Sequence, residues 1–77
     1  MKPTIVQGAW KEGRSDDKEL AKLLAQMRLA LNATERVVVS VQTDLTALAT
    51  SLWSETIPPD VAWSVELEVV EIGRAHV

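Results

Sequence analysis

Arg14 stands in the stretch Lys11-Glu12-Gly13-Arg14-Ser15-Asp16-Asp17-Lys18, just before a helix start. A planar guanidinium held there suits a carboxylate, because its fork meets two oxygens at once. Gly13 permits a sharp turn out of a preceding strand. Ser15 can serve as N-cap, and Asp16 and Asp17 fall in the first turn, where carboxylates favour the positive end of the helix dipole. The corner therefore places Arg14 beside free backbone N–H groups, which is a setting for an anion. Lys11 adds a second positive charge from the same loop. An Arg and a Lys in a polar turn are also simply solvated side chains, and the two readings of Arg14 weigh about evenly. The chain shows no metal-ligand spacing, no Ser/His/Asp set and no phosphate loop.

Three segments must position that loop. Thr4 to Trp10 reads as a strand, with Thr4, Val6, Gly8 and Trp10 on one face by alternation. Asp16 to about Asn32 reads as a helix, whose Leu20, Leu23, Leu24, Met27, Ala30 and Leu31 form one apolar stripe. Arg36 to Gln42 is rich in β-branched residues and reads as a buried central strand, with Val37, Val39 and Val41 pointing one way.

Further along, Thr43 or Asp44 can cap a short helix over Leu45 to Ser54, with a stripe of Leu45, Leu48, Ala49, Leu52 and Trp53. Ile57-Pro58-Pro59-Asp60 is a turn, since two prolines end a helix. Val61 to Val70 alternates as a half-exposed strand, with Val61, Trp63, Val65, Leu67 and Val69 inward. The expected fold class is α/β, in the order β-α-β-α-β, with parallel strands and both helices on one sheet face. A rival pattern runs through the same residues. Leu20, Leu24, Met27, Leu31, Thr34, Val38, Val41, Leu45, Leu48 and Leu52 recur at alternating four- and three-residue spacing, as in one long coiled-coil helix.

Seventy-seven residues allow one small domain, which is assigned to 1–70. Without cysteine there is no disulfide or thiolate metal site to add stability, so oligomerisation is the expected source of further buried area. Eight basic and 11 acidic residues give a net charge of −3. No basic face interleaved with aromatics points to nucleic acid, and no apolar run is long enough to span a bilayer. A cytoplasmic setting fits the absence of cysteine and of a leader-like apolar segment. The last residues, Glu71-Ile72-Gly73-Arg74-Ala75-His76-Val77, look like the conceptual translation of a common short-read sequencing adapter. Gly73, Arg74 and the single His76 are accordingly set aside as a non-native tail, from a chain expected to continue naturally past Val70.

Around Glu12-Gly13-Arg14-Ser15 the chain resembles the tautomerase superfamily, of the 4-oxalocrotonate tautomerase and cis-3-chloroacrylic acid dehalogenase type. The shared pattern is a short strand (here from Pro3-Thr4-Ile5), then E-G-R-S, a helix and a parallel strand. It covers roughly the chain as far as Thr43 and is most like the second β-α-β unit of longer members. There a strand containing Gly leads into Arg-Glu-Gly-Arg-Ser, matched here by Gly8-Ala9-Trp10-Lys11-Glu12-Gly13-Arg14-Ser15.

The resemblance implies that Arg14 binds the carboxylate of a small enolisable or unsaturated acid, with Lys11 nearby. A looser echo at Glu55, Ile57-Pro58-Pro59-Asp60 and Trp63 implies Glu55 as a group that orients water or polarises substrate. It also implies a homo-oligomer, trimer or hexamer, and no cofactor. The family's base or nucleophile is the secondary amine of an N-terminal proline. Pro3 is the matching residue, but it follows Met1-Lys2, so its nitrogen is an amide, and it lies one residue farther from Arg14 than the single-unit pattern sets it. The expectation is a unit with impaired or absent catalysis as written, an isomerase only if the intact chain supplies a free proline. The competing expectation is a non-catalytic assembly module, either a degenerate β-α-β unit or the coiled coil.

Overall fold

Val37-Val38-Val39 decides between the two patterns. β-branched side chains are stiff at χ1 and favour a pleated, half-buried surface. In the computed structural model, which describes residues 2–72, they open the central strand of a three-stranded sheet, and no helix continues from Leu20 to Leu52. The elements are β1 (Thr4–Trp10), α1 (Asp17–Ala33), β2 (Val37–Thr43), α2 (Thr46–Thr56), a 3₁₀ turn at Ala62–Ser64, and β3 (Val65–Glu71). The sheet order is β1-β2-β3 and both pairings are parallel. Thr4 stands opposite Val37, and Val37 opposite Val65. The chain is thus an α/β unit with two consecutive β-α-β crossovers.

Alternation along the strands determines which sheet face is covered. Val6, Trp10, Val37, Val39 and Val41 are buried together with Leu23 and Met27 of α1 and Ala49 and Trp53 of α2. Both helices therefore cover one face, as two crossovers of one hand stepping in one direction require. Full burial of a side chain such as Met27 is worth roughly 1.5–3 kcal/mol. The opposite face carries Ile5 (60% exposed), with Gln7, Ala9, Gln42, Glu66 and Glu68 also exposed. Parallel sheets are almost always covered on both faces, so this one is half covered. There Ser40 Oγ donates to Glu68 Oε1 at 3.0 Å.

Several local expectations are corrected. The N-cap of α1 is Asp16, not Ser15: Asp16 Oδ1 accepts from the Glu19 N–H at 2.7 Å, while Ser15 Oγ donates to the Asp16 carbonyl at 3.1 Å. With Asp16 as cap, Glu19 stands at the third helical position, the place of the acidic residue in a capping box. α1 also runs to Ala33 rather than Asn32, and Thr34 closes it with N–H to the Ala30 carbonyl at 2.9 Å. Replacing Asp16 with Ala should lower stability by about 0.5–2 kcal/mol. Ser15→Ala should change it by less than about 0.5 kcal/mol. Urea unfolding of the two variants checks this, and the opposite ranking would return the cap to Ser15.

α2 begins at Thr46, and its N-cap position, Leu45, makes no side-chain capping bond. Both expected caps, Thr43 and Asp44, lie before that position. Thr43 Oγ1 accepts from the Leu45 N–H at 3.2 Å, and Asp44 Oδ1 accepts from the distant Gly13 N–H at 3.2 Å. On the expected stripe of α2, Ala49 and Trp53 are buried, whereas Leu45 and Leu48 are exposed.

The Pro58-Pro59 turn holds, but the last strand starts at Val65 rather than Val61, because the chain makes a 3₁₀ turn first. Trp63 consequently points outward, 84% exposed, instead of joining Val65, Leu67 and Val69. β3 extends through Glu71, and the Ile72 N–H donates to the Thr43 carbonyl at 2.8 Å, so the strand reaches one residue into the segment read as a tail. Gly73, Arg74 and His76 lie outside the described residues.

Candidate functional site

The Lys11–Arg14 turn is built by two residues with positive φ. Glu12 has φ 56° and Gly13 φ 68°, and the Arg14 N–H donates to the Lys11 carbonyl at 2.9 Å. Positive φ at both central positions is the signature of a type I′ turn. Gly13 is buried beneath it and faces the start of α2. A Cβ there would lie 2.5 Å from Leu48 Cβ and 2.7 Å from the Leu45 carbonyl oxygen. The loop is thus docked on α2 by the absence of a side chain, and the Gly13–Asp44 hydrogen bond ties it to the β2–α2 junction.

This docking changes the expected anion corner. The Gly13 and Glu19 N–H groups point to Asp44 and Asp16, and the Arg14 N–H to Lys11, so these amides are already engaged by the protein. The Arg14 side chain supplies the positive charge at this corner. It is exposed and makes no ion pair among the described residues. With Ser15 it borders a cleft of about 340 Å³, whose other wall is Leu48, Ser51, Leu52 and Glu55. Those four recur at three- and four-residue spacing on one face of α2.

The structure therefore brings Arg14 and Glu55 to one cleft and leaves Lys11 outside it. The pairing was not readable from spacing, since it depends on α2 crossing the Gly13 turn. A carboxylate guest in this cleft would meet Arg14 as partner and Glu55 as a like charge.

Pro3 is elsewhere. It is exposed at the start of β1, whereas Arg14 follows its end; seven strand residues at about 3.3 Å each separate them. Pro3 shares a small cleft of about 230 Å³ with Thr34, Glu35 and Arg36. A larger cleft of about 620 Å³ continues past Arg36 to Asp60, Val61 and Trp63. The Trp63 indole N–H donates to the Asp60 carbonyl at 3.1 Å, which fixes the ring beside that cleft. Arg36 is paired with Glu66 at 3.5 Å, both exposed. In the sequence its one signal is a cation directly before the Val run.

Comparison with protein-family models, with curated proteins and with solved structures found no match for the chain. Among the described residues no group of three or more His, Cys, Asp or Glu is placed to hold a metal ion, and no helix is long and apolar enough to cross a membrane.

Proposed function

We propose that this chain is a tautomerase-superfamily unit that binds a small carboxylated, enolisable or unsaturated acid at Arg14, with little or no turnover as written. One observation carries the reading. The left-handed Glu12-Gly13 turn, locked onto α2, holds the Arg14 side chain beside a cleft, with no ion pair among the described residues. A solvated turn Arg needs no such support. Guanidinium–carboxylate hydrogen bonds are charge-assisted, and their fork geometry selects a planar acid.

Catalysis asks for more. A general base typically contributes on the order of 10² to 10⁴ in rate, and the Pro3 nitrogen is an amide. Pro3 and Arg14 also sit at opposite ends of one strand, so a site that uses both requires two chains. This favours a homo-oligomer, trimer or hexamer. The sheet is suited to one: its open face carries Ile5 and Val70, and its β1 edge, Thr4 to Trp10, has no charged residue to discourage pairing. The β3 edge is guarded by Glu66, Glu68 and Glu71.

The test is titration of the ¹⁵N-labelled chain with a 2-oxo acid, following the Gly13–Asp17 amides, beside an assay of phenylpyruvate-type enol turnover. Weak saturable binding is expected. Arg14→Ala should weaken it by roughly 10- to 100-fold, the value of hydrogen bonds to a charged group. Lys11→Ala, outside the cleft, should change it less than about twofold, and Glu55→Gln should tighten it by roughly two- to fivefold by removing a like charge. A chain beginning Met-Pro-Thr, with Lys2 deleted, should expose the proline amine and gain enol–keto activity. Shifts unchanged by Arg14→Ala would instead favour the non-catalytic assembly module, and robust turnover by the unprocessed chain would remove the premise about Pro3. Sedimentation as a folded monomer at micromolar concentration would overturn the oligomer.

A further inference from the structure

Glu55 stands in the last turn of α2, and no basic residue shares that turn. A helix C-terminus carries unpaired carbonyls and a partial negative charge, so it favours a cation and disfavours a carboxylate. Glu55 is exposed and makes no ion pair among the described residues. Arg14 makes none either, although it borders the same cleft. Two opposite charges thus line one cleft without pairing with each other. Their spacing follows from the docking of the turn. Gly13 sits on Leu48, and Glu55 lies farther along α2 by about 10 Å of helix axis. Leu52 falls between Leu48 and Glu55 on the same helix face and also lines the cleft.

We infer that the acid this cleft prefers carries a protonated amine at its far end. Its carboxylate takes the Arg14 fork, and its ammonium takes Glu55 at the negative end of α2. The methylenes between the two charges lie over Leu52. A guest with a carboxylate alone leaves Glu55 as a like charge beside it, and an amine alone does the same with Arg14. An ω-amino acid meets each with the opposite sign. Exposed ion pairs are weak one at a time, so selection comes from meeting both charges on one guest. The inference rests on the reading of Arg14 as a carboxylate site and gives Glu55 a distinct role: it holds the amine of the guest instead of a water.

The test compares 5-aminopentanoate with its isomer norvaline, with pentanoate and with pentylamine, all of one carbon count. Titration follows the Gly13–Asp17 and Ser51–Thr56 amides of the ¹⁵N-labelled chain. 5-Aminopentanoate should shift both sets saturably and bind roughly two- to fivefold more tightly than pentanoate or pentylamine. Norvaline has the same atoms and charges, but the charges are adjacent, and it should bind more weakly than its isomer. Glu55→Gln is the decisive variant, because its effect changes sign with the guest. It should weaken 5-aminopentanoate by roughly two- to fivefold while tightening pentanoate. Arg14→Ala should weaken both acids and not pentylamine. Both side chains are exposed, so the two variants keep the fold. If Glu55→Gln tightens 5-aminopentanoate as it does pentanoate, or if norvaline binds as well as its isomer, the inference fails and the carboxylate reading of Arg14 stands. If Arg14→Ala leaves both acids unaffected, both fail together.

Discussion

Gly13→Ala should be among the most damaging single-methyl changes in this protein. Two independent effects add. A Cβ at φ 68° enters the left-handed region, which costs an L-residue roughly 1–2 kcal/mol. The same methyl would press on Leu48 Cβ at 2.5 Å and the Leu45 carbonyl at 2.7 Å, and relief of such overpacking typically costs about 1–3 kcal/mol. The carbonyl belongs to backbone and cannot swing aside as a side chain end would. Relief therefore means lifting the turn from α2, which also breaks the Gly13–Asp44 hydrogen bond. The sum, about 2–5 kcal/mol, compares with a total stability of about 4–12 kcal/mol for a chain of this length at 0.05–0.15 kcal/mol per residue. Urea unfolding of Gly13→Ala should show a loss of that size, together with loss of carboxylate binding at Arg14. Glu12→Gly is the control. Glu12 also has positive φ but is exposed, so Gly there relieves strain at the expense of unfolded-state entropy and should stay within about 1 kcal/mol of the parent. Equal behaviour of the two variants would show that the turn is not docked as described.

Trp53→Ala should be comparably severe, while Trp63→Ala should be nearly silent. Trp53 is 4% exposed and is one of only two buried residues of α2, with Ala49. α2 is 11 residues long, and its N-cap position is Leu45, whose side chain cannot accept a hydrogen bond. A helix this short is not stable by propensity and depends on the face it packs. Truncating a buried Trp typically costs about 3–5 kcal/mol. Since Leu45 and Leu48 form the surface on which Gly13 sits, weakening α2 should also loosen the turn that carries Arg14. Trp63 loses only its bond to the Asp60 carbonyl and should change stability by less than about 1 kcal/mol. Far-UV circular dichroism during urea unfolding separates the two, and similar midpoints would place α2 outside the cooperative core.

The two tryptophans show what spacing could not settle. Trp63 lay in perfect alternation with Val65, Leu67 and Val69, yet the 3₁₀ turn after Pro58-Pro59 delays the strand and rotates Trp63 outward. Alternation reports a face only inside a strand, and where the strand begins depends on how the chain leaves α2. Asp44 shows the same limit at a helix end. Its type marks it as a cap, but its carboxylate accepts from an N–H 31 residues away, which no local pattern contains.

By itself the sequence determined the element order, the covered face of the sheet and the turn at Gly13. These follow from local terms: β-branched runs, three-to-four spacing of apolar residues, and the conformational freedom of glycine. It also determined that Pro3 is no free amine. The tertiary structure alone decided that Arg14 shares a cleft with Glu55, that Lys11 and Pro3 lie outside it, and that the Gly13 amide answers to the protein's own Asp44 carboxylate. It likewise left the buried Trp10 indole N–H without a hydrogen-bond partner among the described residues. The physical reason is range. Backbone preference acts over a few residues, whereas these relations arise where α1, α2 and the Gly13 turn meet across a parallel sheet, between residues that share no sequence window.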